Sequence, residues 1–222
     1  MARDTMERRY ALIEAFCAGA EETDPLVLAE ALMRRPEIRF HGPEHHYLTA
    51  AVLSSVWCRK HGEPPEPHLK RLRARCAQIP PGVCGYFGVC GNTMAAGAAL
   101  SELLGVTYLS GENWKRLNAF TARVQRGIAD SCGRGPRCCK RTTFAALLAA
   151  YELLELREPG FRCPFSGGNP QCIGTQCVFF PQTAAGGEMS SSNSSPSISK
   201  IAPDFMCVPP HLSSDNPSES PS

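Results

Sequence analysis

Apolar positions recur at intervals of three and four through most of the first 181 residues, the spacing that lines one side of a helix. Met6 to Ala18 carries Tyr10, Ile13 and Cys17 on such a stripe. Asp24-Pro25 reads as an N-cap and a first-turn proline, with Leu26, Leu28 and Leu32 behind it. Pro43 opens a third segment that runs to about His61 through Leu48, Val52, Val56 and Trp57. Pro67 to Ala77 is shorter and basic, and Lys70, Arg71, Arg73 and Arg75 suit a solvated face. A glycine-rich loop follows Pro80-Pro81-Gly82, then a small-residue helix from about Asn92 to Leu104 whose alanines permit close packing. Ser110 caps a helix with Trp114, Leu117, Phe120 and Val124 that stops near Gly133, with Trp114 expected as a core anchor. A last helix, from about Arg141 to Arg157, holds Phe144, Leu147, Leu148, Tyr151 and Leu154 and ends at Pro159-Gly160.

No stretch alternates apolar and polar residues long enough to argue for a sheet. The predicted fold is therefore all-α, a compact multi-helix single domain over residues 1–181 with cysteine-bearing loops. From residue 182 to 222 the chain turns to Ser, Pro, Gly and Asn, with too little apolar surface to offset the entropy of ordering. That stretch is expected to be a disordered tail, and Cys207 within it is not expected to act as a ligand.

Charge changes the picture little: 23 Lys and Arg stand against 21 Asp and Glu, which leaves no basic footprint for nucleic acid or a membrane surface. The 12 cysteines change it a great deal. That many occur in oxidised secreted scaffolds or in intracellular metal sites. The charged start, with Asp4 and Glu7, has no basic region leading into a signal-type apolar core, and no uncharged run is long enough to span a bilayer. The expectation is a cytoplasmic protein whose thiols are reduced or metal-bound.

Seven cysteines fall in three turn-rich stretches: Cys84 and Cys90, then Cys138 and Cys139, then Cys163, Cys172 and Cys177. Cys17, Cys58 and Cys76 sit inside helical patterns and read as packing residues. Around the first pair, Gly82, Gly85, Gly88 and Gly91 recur every third residue, which allows positive φ and close backbone approach. The second pair is expected at or before a helix start, where exposed N–H groups and Arg137, Lys140 and Arg141 favour a thiolate. These three basic residues are equally candidates for binding an anion. Cys163-Pro164 has the Cys-Pro form that often closes iron–sulfur motifs, although no Cys-x2-Cys is present. Soft thiolates favour iron–sulfur clusters, zinc or copper(I). Seven thiols cannot close two all-cysteine sites, so a second site needs a histidine or an open position.

His41-Gly-Pro-Glu44-His45-His46 supplies candidates for that role. His41 to His45 matches the His-x-x-Glu-His form of inverted zinc proteases, but Gly42 and Pro43 leave His41 outside any helix that begins at Pro43. His41 and His45 are candidate ligands. Glu44, His45 and His46 are candidate catalytic groups in the first turn of a helix beside the cysteines.

Taken together, these motifs and Ser110-Gly-Glu resemble an uncharacterised cysteine-rich family of anaerobic bacteria and methanogenic archaea, a domain of unknown function numbered 5714. The likeness covers about residues 38–181. Some members are joined to a methyltransferase-like domain that binds S-adenosylmethionine. The resemblance implies an anaerobic cytoplasm, one site shared by these cysteines and histidines, and a separate methyltransferase-like or redox partner, since no methyltransferase module occurs here. The expected function is a cytoplasmic metal-binding protein with a cysteine-ligated iron–sulfur cluster or zinc and a redox or cofactor-linked role. A zinc-stabilised interaction module is one alternative, and a thiol-redox or soft-metal-handling protein using Cys138 and Cys139 is another.

Overall fold

The computed structural model describes residues 2–131, 138–156 and 160–181. The expected tail, Cys207, Arg137, Gly133 and the expected helix end at Arg157 lie outside the described residues. Eight α-helices and no strand occur among those described. They are α1 (Ala2–Gly19), α2 (Pro25–Met33), α3 (Glu44–His61), α4 (Glu66–Cys76), α5 (Val83–Tyr86), α6 (Gly91–Leu103), α7 (Glu112–Ser131) and α8 (Cys139–Leu148). Two 3-10 turns, Ser166–Gly168 and Gly174–Gln176, follow. Among the described residues no helix is long and apolar enough to cross a membrane.

The centre is α3. Every residue from 44 to 56 is buried, so this helix is enclosed on all sides and packs against α1, α2, α4, α6 and α8. A helix surrounded in this way carries no polar face, and it tolerates Ala50, Ala51, Ser54 and Ser55 because small side chains let neighbours approach. The facing α6 uses the same device with Ala95, Ala96 and Ala99 fully buried. On its other side α6 meets α7 so closely that a Cβ at Gly97 would stand 2.6 Å from Thr121 Cγ2. By contrast α7 is amphipathic: Phe120, Val124 and Ile128 are buried, and Trp114, expected in the core, is half exposed near its start.

Two other expectations change. The basic stretch of α4 is tied down rather than merely solvated. Arg73 bridges Glu7 at 2.6 Å and Glu14 at 2.9 Å on α1, while Arg71 and Arg75 both pair with Glu102 on α6. Furthermore, α8 is shorter than its apolar pattern, spanning Cys139–Leu148. Tertiary contacts end it. Tyr151 donates its hydroxyl to Asp24 Oδ1 at 2.5 Å, the carboxylate that also caps α2 through Leu26 N–H at 2.8 Å. Lys60 of α3 donates to Leu154 O, and Glu155 takes a positive φ of 54°. Tyr151 and Leu154 are thus buried as predicted, but in irregular turns.

Candidate metal centres

The starts of three helices, α3, α6 and α8, meet at one place. Asn92 at the start of α6 joins them: its amide nitrogen donates to His45 O at 3.1 Å, and its oxygen accepts from Thr143 N–H at 3.0 Å. Helix starts present N–H groups without intrahelical partners and a positive dipole end, an environment suited to thiolates.

Cys84 and Cys90 reach this junction from the glycine-rich loop. Gly82 (φ 81°) and Gly88 (φ 68°) hold left-handed conformations that bracket the single helical turn α5. Cys90 is the N-cap residue of α6. Its N–H donates to Gln125 Oε1 at 3.0 Å, and Gln125 Nε2 donates to Gly88 O at 3.4 Å, so one side chain of α7 staples the loop. Cys138 is the N-cap residue of α8, and Cys139 is its first residue.

The third stretch folds back on α8 over an aromatic base. Phe144 meets Phe161 at 4.5 Å, Phe179 at 6.2 Å and Phe165 at 6.3 Å between ring centroids. Cys163 N–H donates to Phe179 O at 2.7 Å and closes the loop on itself. Cys172 and Cys177 each close a turn, donating to Asn169 O and Gly174 O at 2.9 Å.

The seven loop cysteines therefore divide into two adjoining groups. Cys138, Cys163, Cys172 and Cys177 line one recess floored by phenylalanines. Cys84, Cys90 and Cys139 line a second cavity of about 230 Å3, whose wall Cys138 also touches. Burial pushes the Cys163 thiol up to about 11, with Phe165 N–H opposing and Cys138, Cys177 and Cys172 adding to the rise. Burial raises Cys138 and Cys90 as well, against the first-turn N–H groups of α8 and α6 respectively. The ten cysteines among the described residues are unbridged. Cys17 and Cys76 are fully buried in the core, and burial pushes both thiols up to about 12.

The histidine segment separates into distinct roles. His41 precedes α3, as Pro43 at its N-cap requires, and lines neither cavity. Glu44 is fully buried, and its carboxylate accepts from Arg39 Nε at 2.9 Å and from the second guanidinium nitrogen at 2.8 Å. Burial opposes ionisation, but the Arg39 hydrogen bonds hold this carboxyl below its ordinary value. Gly42 is required here, because a Cβ would clash with that carboxylate. His45 is fully buried with both nitrogens engaged, Nε2 with Arg39 O at 2.8 Å and Nδ1 with Thr143 Oγ1 at 3.2 Å. Its expected part as a ligand or proton shuttle does not fit, since neither nitrogen faces a cavity without a protein partner. His46 is the histidine that lines the larger cavity, and its Nε2 lies against Gly91 where a Cβ would clash.

Lys140 is likewise not open to an anion. It is 3% exposed, donates to Met33 O at 2.6 Å, and stands 4.1 Å from the Phe165 ring centroid. Burial lowers its pKa to about 8, against the pull of Cys138, Cys163 and Glu44. Arg141 is equally buried, and its backbone N–H and its charge oppose the rise of the Cys138 thiol.

One cluster was not legible in the sequence. Cys58, Glu63 and His68 carry ligand atoms within 4.8 Å of one another, a spacing that no three of the loop cysteines meet among the described residues. His68 Nδ1 faces Glu102 Oε1 at 3.2 Å, a carboxylate placed to orient the ring. Cys58 lies on α3 and His68 on α4, and only the turn at Gly62 (φ 71°), which reverses the chain between them, brings the two together.

No curated protein matches this chain, and no solved structure does. A family model matches residues 13–180, so the family region takes in α2 and the end of α1 and begins well before the expected residue 38. The chain belongs to DUF5714, a family of unknown function.

Proposed function

We propose that this protein holds cysteine-ligated metal, with iron–sulfur as the leading form, and uses it in redox or cofactor-linked chemistry. The observation that carries this is the gathering of seven loop cysteines from three distant segments into two adjoining cavities. Packing alone gives no reason to collect so many half-buried thiols, three of them at the starts of α6 and α8. The donor set is soft throughout, which suits iron–sulfur, zinc or copper(I).

Spacing favours a cluster over a single ion. Thiolates on one tetrahedral zinc stand roughly 3.8 Å apart, from a metal–sulfur bond of about 2.3 Å. Cysteines that bind different irons of a cluster stand farther apart, and among the described residues no three loop cysteines have their sulfurs all within 4.8 Å of one another. Such a cluster, when bound, accepts and donates single electrons. The residues of the chain would supply the ligands, exclude water with the Phe144 group, and offset the negative charge through Arg141 and the helix starts. An anaerobic cytoplasm and a separate methyltransferase-like or redox partner complete the reading.

The test is anaerobic purification followed by iron, zinc and acid-labile sulfide analysis with visible absorbance. Iron and sulfide in comparable amounts, with a brown chromophore, are expected. Zinc without sulfide would instead support a zinc-stabilised module. A colourless, metal-free protein with all seven thiols freely titratable would end the proposal.

A further inference from the structure

We propose that Cys58, Glu63 and His68 form a mononuclear zinc site that clasps the end of α3 to the start of α4, with one coordination position facing solvent. The site needs none of the loop cysteines. Those gather where α3 begins, whereas Cys58 lies in its last turn, roughly 18 Å along the helix from His46.

The turn between the helices builds the donor set. Gly62 (φ 71°) ends α3: its N–H donates to Arg59 O at 3.2 Å, and Glu63 N–H donates to Cys58 O at 2.8 Å. The second bond fixes the backbone of Glu63 against that of Cys58. Pro64 and Pro65, with φ set by their rings, then lead straight into α4, whose first turn carries His68. The three ligand atoms lie within 4.8 Å of one another, and His68 Nε2 stands 3.7 Å from Glu63 Oε2. Nitrogen and oxygen donors on one tetrahedral zinc stand roughly 3.4 Å apart, from bonds of about 2.0–2.1 Å, so small side-chain rotations close the set.

The imidazole is oriented from behind. Its Nδ1 faces Glu102 Oε1 at 3.2 Å and a guanidinium nitrogen of Arg71 at 3.3 Å. Burial opposes ionisation of Glu102, but Arg71 and Arg75 hold this carboxyl below its ordinary value. An ion on Nε2 keeps the ring proton on Nδ1, where it donates to Glu102, the carboxylate–histidine–metal arrangement that orients a ligating ring. Cys58 is fully buried, and Ser54 Oγ, one turn earlier and equally enclosed, has no hydrogen-bond partner besides that sulfur. Burial pushes the Cys58 thiol up, with Ser54 opposing and Glu63 adding to the rise. A divalent cation relieves that conflict, because it takes the thiolate and the carboxylate together and releases the thiol proton to solvent. One thiolate, one imidazole and one carboxylate suit zinc, whereas calcium and magnesium require oxygen donors. The Glu63 side chain is 53% exposed, so the fourth position opens to water, as in zinc sites with three protein ligands.

Zinc uptake by the reduced full-length chain tests the assignment, with whatever the loop cysteines hold left in place. In equilibrium dialysis the wild type is expected to bind one equivalent more than His68→Ala and one more than Cys58→Ala, and circular dichroism verifies that both variants fold. Cadmium-113 NMR reads the donors: the wild type should show a resonance in the range of mixed sulfur, nitrogen and oxygen ligands, lost in both variants and kept in Cys163→Ser. Equal zinc uptake by the wild type and the two folded variants would overturn the proposal. So would a loss confined to His68→Ala, which would leave only a surface chelate of His68 and Glu63. A wild type that binds a single equivalent, lost in both variants, would uphold this site and end the loop-cysteine reading instead.

Discussion

At the scale of single residues, adjacent histidines take unlike roles because one position of rotation on α3 separates them. His45 points into the junction of α6 and α8, and His46 lines the cavity beside Cys90. Burial lowers the His45 pKa to about 4, with the Arg39 carbonyl and Glu44 opposing and Lys140 and His46 adding to the fall. The unfolded chain takes up that proton near pH 6.5, well before the folded one does. Lowering the pH from about 6.5 toward 4 therefore costs stability, and raising it back restores it. His45→Ala should lower unfolding free energy by about 2–4 kcal/mol, because it strands buried partners, and should flatten this acid limb. Denaturant melts at several pH values measure both, and an unchanged acid limb in the variant would place the titration elsewhere.

At the scale of elements, the small-residue helix reading of α6 was correct in kind, and the structure adds which residue is critical. Gly97→Val would drive two methyl groups into Thr121 across the α6–α7 contact, and a loss of about 1–3 kcal/mol is expected. Gly97→Val combined with Thr121→Ala should recover much of it, a coupling that a double-mutant cycle reads directly. Helix existence was legible wherever caps and periodicity agreed, as at Asp24-Pro25 and Pro43. The end of α8 was not, since Tyr151 and Leu154 keep an apolar pattern while Asp24 and Lys60 pull the backbone into turns. Trp114 failed for a related reason: periodicity marks a face of α7, but its first turn lies beyond the neighbours that would cover it.

At the scale of the whole molecule, the sequence identified the loop cysteines as a set apart from Cys17 and Cys76. It could not partition them, because Cys-x5-Cys and an adjacent pair carry no short-range signature, and convergence depends on how α3, α6 and α8 meet. For the same reason it missed Cys58 with Glu63 and His68, which become neighbours only when α4 folds back on α3. Cys138, Cys163, Cys172 and Cys177 line one recess, and Cys84, Cys90 and Cys139 line a cavity that Cys138 and His46 also touch.

Residue-resolved alkylation of the anaerobically purified protein, before and after chelation, tests the central claim most directly. Cys84, Cys90, Cys138, Cys139, Cys163, Cys172 and Cys177 should be protected before chelation and react after it. Cys17 and Cys76, enclosed in the core, should stay slow in both states until the protein unfolds. Equal alkylation rates of the seven loop cysteines before and after chelation would contradict the account.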